Sequence, residues 1–428
     1  MENKVYIDPY PKTMKMLGLE RINIDCGNNT SIVTPANIAK DMVALLPDEV
    51  FIPESKFLDI CCKSGIFLTS IREKLMNSKA MIESFPDDKE RYQYITNNQL
   101  YGIAPNGQCQ MYSVRAVYGT LKVDNPHILC FGVFDQYKTA CLNNNHKMLI
   151  DEMKKEFGQM RFDVVIGNPP YNKDIYLDFV TLGHTLASKY DCWITPAKWQ
   201  AKGGAKNEDF RKNIVPYMSK IVYYPYTKDV FAVTVGGGIT YYIINTKRNL
   251  DAQQLLELKS IDPKVIFKNE IIYVNRYRKT YFNNIYENIV SKVIDRRKQL
   301  TIGDYEEAPY YVEVSHLSAD KDKSNCMGGL VTTPFYKSKS ISNIQNIHTI
   351  FSGTEEQCNS FISFVNTKTV RFLIMLSLYV PIINNICWRF VPAPKAFDHI
   401  FTDQELYEEY KLTPEEINII ESVIKERK

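Results

Sequence analysis

Phe162-Asp163-Val164-Val165-Ile166-Gly167, running straight into Asn168-Pro169-Pro170-Tyr171, is the stretch on which the reading of this chain turns. The first six residues are a short, mostly apolar, β-branched run of strand length. The next four cannot prolong it. Each proline fixes its own φ and drives the residue before it out of the helical region, so the strand must end in a rigid polar turn. That turn holds two acceptors outward, the side-chain oxygen of Asn168 and the carbonyl of Pro169, and Tyr171 adds a flat aromatic face. A plain Pro-Pro loop after a buried strand is the competing reading at this point.

About a hundred residues upstream, Phe57-Leu58-Asp59-Ile60-Cys61-Cys62-Lys63-Ser64-Gly65-Ile66-Phe67-Leu68 has a matching layout. An apolar strand leads through an acid into a small-residue turn and then a helix. In an open parallel sheet, ligands sit beyond the carboxyl ends of strands, where such turns feed helices whose first amides are free. The small residues let backbone approach a ligand, and Gly65 can take dihedrals closed to other residues. The segment is neither a Gly-x-Gly-x-x-Gly fingerprint nor a phosphate loop ending in Gly-Lys-Ser/Thr. Without the other motif it would read as a strand-to-helix corner with Cys61 and Cys62 as small buried residues.

The two motifs pose one chemical problem and its solution. An exocyclic amine on an aromatic ring is a weak nucleophile because its lone pair is delocalised. Two acceptors placed at its hydrogens favour a tetrahedral nitrogen and are set in advance for the positive charge that develops there. A base within a duplex cannot reach a buried electrophile, so it must be extruded and stacked on a ring such as Tyr171. A methyl donor such as S-adenosylmethionine would be one such electrophile, and an acid like Asp59 is chemically sensible near its ammonium.

Together these motifs resemble the gamma class of adenine-N6 DNA methyltransferases, and especially the Eco57I-like restriction-modification methylases. Ser31-Ile32-Val33-Thr34-Pro35 is similar to the family's first cofactor segment, and Asp59 to Gly65 to its second, with Lys63 where many members have glycine. Gln99-Leu100-Tyr101-Gly102-Ile103-Ala104-Pro105 resembles the ribose-binding strand, but Ala104 stands where many members carry an acid. Ile128 to Asp135 is placed against the segment that holds the cofactor's adenine. Downstream, Trp193 to Trp199, Asp229-Val230-Phe231 and Gly236 to Tyr242 are similar as well. The resemblance implies S-adenosyl-L-methionine as cofactor, held by Ile32, Thr34, Pro35, Asp59, Cys61, Cys62, Gly65, Ala104, Phe131, Asn168 and Pro170. It implies catalysis by Asn168, Pro169, Pro170 and Tyr171, with Phe231 closing a sandwich around the flipped base. It covers roughly residues 30 to 250 well and the last forty moderately.

The fold class this implies is α/β: a Rossmann-like methyltransferase domain with a mostly parallel sheet over residues 1–250, and a mixed α+β target-recognition domain over residues 251–428. Strands are expected at Lys56–Ile60, Gln99–Ile103, Ile128–Gly132, Phe162–Ile166, Asp191–Thr195, Ile221–Tyr224 and Ile239–Asn245. Helices are expected around Met111–Tyr118, Asp151–Glu156 and Tyr176–Lys189. The polar run Asn245 to Asn249 marks the boundary. Beyond it, Ser318–Asn346 reads as a long loop, and Thr413-Pro414-Glu415-Glu416 as a helix start.

With 428 residues, 45% of them hydrophobic, the chain has material for two cores. The net charge of +3 hides an uneven spread. Nine Lys/Arg face three Asp/Glu between Lys198 and Arg248, eighteen face thirteen between Leu256 and Phe397, and nine acids outnumber four bases from Asp398 onward. A basic middle suits a phosphate backbone, although a solvated lysine face gives similar counts. The expected contacts to double-stranded DNA are Lys198, Lys202 and Lys206, the last two in a basic loop, and Arg276, Arg278 and Lys279, which are interleaved with aromatic residues. Ten cysteines without a Cys-x-x-Cys pair, and six histidines away from them, point to no metal and to reduced, mostly buried thiols. No long apolar run or signal profile is present, so the expectation is a cytoplasmic protein with no membrane association and an undefined oligomeric state. No nuclease metal site is evident, which leaves any restriction endonuclease to a separate partner. Two rival readings stay open: a protein-glutamine methyltransferase, whose amide nitrogen poses the same problem, and a noncatalytic DNA-binding subunit derived from the enzyme.

Overall fold

The computed structural model describes residues 24–25, 30–31, 33–119, 126–130, 146–158, 161–171, 174–200, 204–224, 227, 230–231, 235, 238–248, 284–294, 300, 307–315, 335–345, 347–378, 383, 385–424 and 426–427. The chain forms two compact units. One comprises Met1–Pro196, Lys206–Thr234 and Ile239–Asp251, and the other Ala197–Ala205, Val235–Gly238 and Ala252–Lys428.

The first unit is built on seven strands: β1 (Phe57–Asp59), β2 (Leu100–Ala104), β3 (Ile128–Cys130), β4 (Phe162–Gly167), β5 (Ala187–Pro196), β6 (Met218–Tyr224) and β7 (Ile239–Asn245). Their order across the sheet is β3-β2-β1-β4-β5-β7-β6. The first five run parallel, and β7 pairs antiparallel with both β5 and β6. This is the α/β, Rossmann-like, mostly parallel sheet expected from the sequence. The order reverses between β1 and β4, and in open α/β sheets ligands bind beyond the carboxyl ends of strands at such a point. Parallel strands covered on both faces need side chains that are apolar in both directions. Accordingly Phe57 and Leu58 of β1 and Val164, Val165 and Ile166 of β4 are all fully buried.

The helices of this unit are α1 (Ala36–Ala44), α2 (Ile66–Met76), α3 (Lys79–Ser84), α4 (Asp88–Asn98), α5 (Gly107–Tyr118), α6 (His146–Phe157), α7 (Ile175–Leu186) and α8 (Ala205–Asn213). Their starts follow local chemistry. Ser78, Asp87 and Asn106 each accept a backbone N–H at the head of α3, α4 and α5. Residue Ile38 with Met42, and Ala39 with Val43, form the buried stripe of α1 at helical spacing. The Tyr176–Lys189 expectation overran its helix. Helix α7 ends at Leu186 and the chain passes directly into β5, because Ala187 already has extended dihedrals (φ −75°, ψ 138°).

In the second unit, α9 (Asn284–Ile294) is followed by a three-stranded antiparallel sheet of β8 (Tyr310–Ser315), β9 (Phe335–Ser338) and β10 (Ile347–Gly353), with β8 in the middle. Helices α10 (Glu355–Asn366), α11 (Lys368–Ser377), α12 (Asp403–Glu409) and α13 (Pro414–Val423) complete it. The Ser318–Asn346 loop reading is corrected here, since Phe335–Ser338 is a strand paired with β8. Thr413 caps α13 through a reciprocal box with Glu416, as its sequence implies.

Candidate active site

The site is assembled at the carboxyl edge of the sheet, where β1 and β4 lie side by side. Asp59 closes β1, with Gly102 of β2 as its partner on one side and Ile166 of β4 on the other. Its side chain is 1% exposed, and its Oδ1 accepts the Cys61 N–H at 2.9 Å. Burial pushes this carboxyl up to about 7, against the lowering effect of hydrogen bonds from the Cys61 backbone and the Cys62 side chain. The turn is stitched to its neighbours on both sides. The Cys62 N–H donates to the Ile103 carbonyl at 2.9 Å, and the Cys62 thiol reaches Ser113 Oγ on α5 at 3.2 Å. Burial, reinforced by Asp59, raises the Cys62 thiol far above the ordinary range, so it stays a neutral packing group.

Gly65 carries the turn into α2 with φ +75°, a left-handed conformation that a side chain would oppose. Space is tight as well, because a Cβ there would lie 3.1 Å from Ser113 Cα. Gly102 is equally tight, with a Cβ position 3.2 Å from Cys62 Sγ. The sequence signal of small residues in this corner thus reflects backbone packed against backbone at Gly65 and against the Cys62 and Leu68 side chains at Gly102.

At the end of β4 the chain leaves the sheet through Asn168, 3% exposed, and a buried Pro169. Asn168 Nδ2 donates to Thr34 Oγ1 at 3.0 Å, across 134 residues of sequence. Thr34 is itself 4% exposed and stands just before Pro35, the extended cap residue of α1. The half-buried Tyr171 meets Tyr176 edge-on at 6.4 Å, and its hydroxyl lies 3.5 Å from the Ile194 carbonyl of β5. Burial raises the Tyr171 hydroxyl well above the usual phenol value, so the ring is neutral. Phe231 is buried in a turn of its own, with its N–H on the Thr227 carbonyl at 2.7 Å.

Structure therefore brings together Thr34, Pro35, Asp59, Cys61, Cys62, Gly65, Asn168 and Pro169 in one unit, on turns that follow or precede the sheet. Pro170 is half-buried beside them in sequence, and Ala104 is buried at the end of β2. Two residues past Ala104, Asn106 is engaged as the cap of α5, its Oδ1 taking the Cys109 N–H at 2.8 Å. Ile32 and Phe131 lie outside the described residues, as do Lys202, Arg276, Arg278 and Lys279. Lys198 is half-buried in a short 3-10 helix, Ala197–Gln200. Lys206 departs from the loop reading: it stands in the first turn of α8, and its ammonium is held by Asp178 at 2.6 Å. Sequence reasoning missed the Thr34–Asn168 bond and the role of Ser113, since no periodicity or motif links segments so far apart. Among the described residues no group of three or more His, Cys, Asp or Glu is placed to hold a metal, and no helix is long and apolar enough to cross a membrane.

No family model matches the chain. Over 378 residues it is 22% identical to a protein of Mycoplasma pneumoniae described as an uncharacterized adenine-specific methylase, an alignment covering 70% of this chain and 84% of that one. Among solved structures it is similar to a modification subunit assigned to a type I restriction enzyme from Vibrio vulnificus YJ016, with 14% identity and a TM-score of 0.42 over 69% of this chain and 61% of that one. It is also similar to the M protein of the type I restriction enzyme EcoKI, with 11% identity and a TM-score of 0.40 over 78% and 68% of the two chains. The chain thus spans about three fifths of the Vibrio subunit.

Proposed function

We propose that the chain is a DNA methyltransferase that moves a methyl group from S-adenosyl-L-methionine to the exocyclic N6 of an adenine flipped out of duplex DNA. The observation that carries this reading is the Asn168-Pro169-Pro170-Tyr171 turn at the end of β4, next to the Asp59–Gly65 turn at the end of β1. The likeness to an adenine-specific methylase supports it independently. Residues 1–250 would then be the catalytic domain and residues 251–428 the target-recognition domain, and a restriction endonuclease, where one exists, would be a separate chain.

The residues present fit the cofactor. Asp59 is a buried carboxylate with the backbone-lined Gly65 turn beside it, which suits an ammonium and a close backbone approach. Thr34, Pro35, Asp59, Cys61, Cys62, Gly65 and Ala104 would hold S-adenosyl-L-methionine, which supplies an electrophilic methyl group when bound. Asn168 Oδ1 and the Pro169 carbonyl accept hydrogen bonds from the target amine and direct its lone pair toward that methyl. Tyr171 stacks on the extruded base, and Phe231 closes on its other face. Pro169 and Pro170 keep these acceptors from relaxing into a helix.

The test is transfer of labelled methyl from the cofactor to unmethylated duplex DNA, followed by digestion to nucleosides. Label in N6-methyl-2′-deoxyadenosine is expected. Label in cytosine, or on protein glutamine, would contradict the substrate assignment, and no label with DNA binding retained would favour a noncatalytic subunit.

A further inference from the structure

We propose that Trp193 is a positioning residue for the catalytic turn: its indole is the spacer between the last residue of β4 and helix α7, and so helps to set the direction in which the chain leaves the sheet at Asn168. This rests on the reading of Asn168 given above and deepens it. In the parallel register of β4 and β5, Trp193 is the partner of Gly167, the residue directly before Asn168. A Cβ on Gly167 would stand 3.1 Å from Cζ3 of the indole and 3.6 Å from Cε3, so one ring edge takes the space that a side chain there would need. The other edge does the same at Gly183 of α7, where a Cβ would meet Cζ2 at 2.0 Å and Cη2 at 2.7 Å. One fully buried, rigid ring therefore rests on bare backbone at both sides. Close-packed interiors pass on displacement, so the ring's position is felt at the start of the turn.

Asp191 holds that ring in place. Trp193 Nε1 donates to Asp191 Oδ2 at 2.9 Å, and His184 Nδ1, next in sequence to Gly183, lies 3.3 Å from Asp191 Oδ1. An indole has one N–H and no acceptor, so its bond to the carboxylate selects the orientation of the ring. The same buried carboxylate thus engages both the spacer and the helix on which it rests. The strand also reaches the far end of the turn, because the carbonyl 3.5 Å from the Tyr171 hydroxyl belongs to Ile194, the residue after Trp193. Packing of α7 on the sheet needs only a large side chain opposite Gly183. The contact with Gly167 is what ties this ring to the turn.

The experiment compares wild type and Trp193→Phe in the full chain, measuring the single-turnover rate on duplex DNA per folded molecule, the Kd for S-adenosyl-L-methionine and the Tm. Phenylalanine keeps an aromatic ring but is too short to fill both glycine spaces and lacks the N–H. Expected is a fall of about 10- to 100-fold in rate with the cofactor Kd changed by no more than about twofold. Should that variant fail to fold, Gly167→Ala sets one methyl group against the indole from the side of the turn and is read in the same way. A lowered Tm with a wild-type rate per folded molecule would overturn the proposal by making Trp193 a packing residue only. Loss of cofactor affinity without loss of rate at saturating cofactor would overturn it too. No methyl transfer by the wild-type chain would instead bring down the reading of Asn168, and this proposal with it.

Discussion

Gly65 and Ser113 approach so closely that a Cβ on the glycine would stand 3.1 Å from the serine Cα and 3.2 Å from its carbonyl oxygen. Neither obstacle is a movable side-chain tip. With φ at +75° the backbone adds a second penalty of about 1–2 kcal/mol for any L side chain. Gly65→Ala is therefore expected to lower stability by at least that amount in urea titration and to weaken binding of S-adenosyl-L-methionine. An alanine variant with wild-type stability would show that α2 and α5 can separate at no cost.

A second glycine carries a different load. The indole of the fully buried Trp193 on β5 lies over Gly183 of α7, where a Cβ would fall 2.0 Å from Cζ2. Trp193 cannot swing away freely, because its Nε1 donates to Asp191 Oδ2 at 2.9 Å. Gly183→Ala should cost about 1–3 kcal/mol, the usual range for overpacking a core. Thermal unfolding of the variant checks this, and an unchanged Tm would mean that the helix can lift from the sheet.

The titration of Asp59 has a definite sign. Its folded-state value of about 7 exceeds that of an unfolded carboxyl near ~4, so between those limits the folded state keeps a proton that the unfolded chain releases. Its contribution to stability is full below the unfolded value and is lost as pH rises through the folded one. Urea midpoints of wild type and Asp59→Asn should therefore diverge in the variant's favour between about pH 5 and about pH 7.5. An ammonium ligand favours the ionised form, so cofactor affinity should rise over the same window in wild type and stay flat in the variant. A pH-independent gap between the two proteins would contradict the buried, protonated carboxyl.

In the second unit, Thr413 Oγ1 accepts the Glu416 N–H, and Glu416 Oε2 accepts the Thr413 N–H at 2.7 Å. Lys292 of α9 reaches the same Glu416 Oε2 at 2.6 Å, so one carboxylate both caps α13 and ties it to α9. Thr413→Ala is expected to cost about 0.5–2 kcal/mol. Glu416→Ala should cost more than the cap alone, measured in the same titration, because it removes both the acceptor of the Thr413 N–H and the charge that pairs with Lys292.

What the sequence revealed and what it hid follow from how far each signal reaches. Strands β1, β2, β4 and β7 could be placed within a residue or two because their apolar runs end at sharp chemical boundaries, the acid Asp59 and the Asn168-Pro169-Pro170 turn among them. The α13 start was legible because Thr413, Pro414 and Glu416 act within one turn of helix. Where α7 passes into β5 there is no glycine or proline to mark the junction, and the pattern was carried too far. Glycines misled in the opposite sense at Gly203-Gly204, since α8 begins at the very next residue and places Lys206 on a helix. The expectation of buried thiols fits the described cysteines, of which Cys130 alone is half-exposed and the other six are buried. The pairing of Asn168 with Thr34 could not be read from sequence, because it depends on which strand end faces which helix start.

The central claim is that the Asn168 amide directs methyl transfer, and Asn168→Ala tests it most directly. The measurement is single-turnover methylation of duplex DNA beside the affinity of the same protein for that DNA. The account predicts a loss of about 100-fold or more in rate with DNA affinity largely intact; comparable turnover by the variant would contradict it.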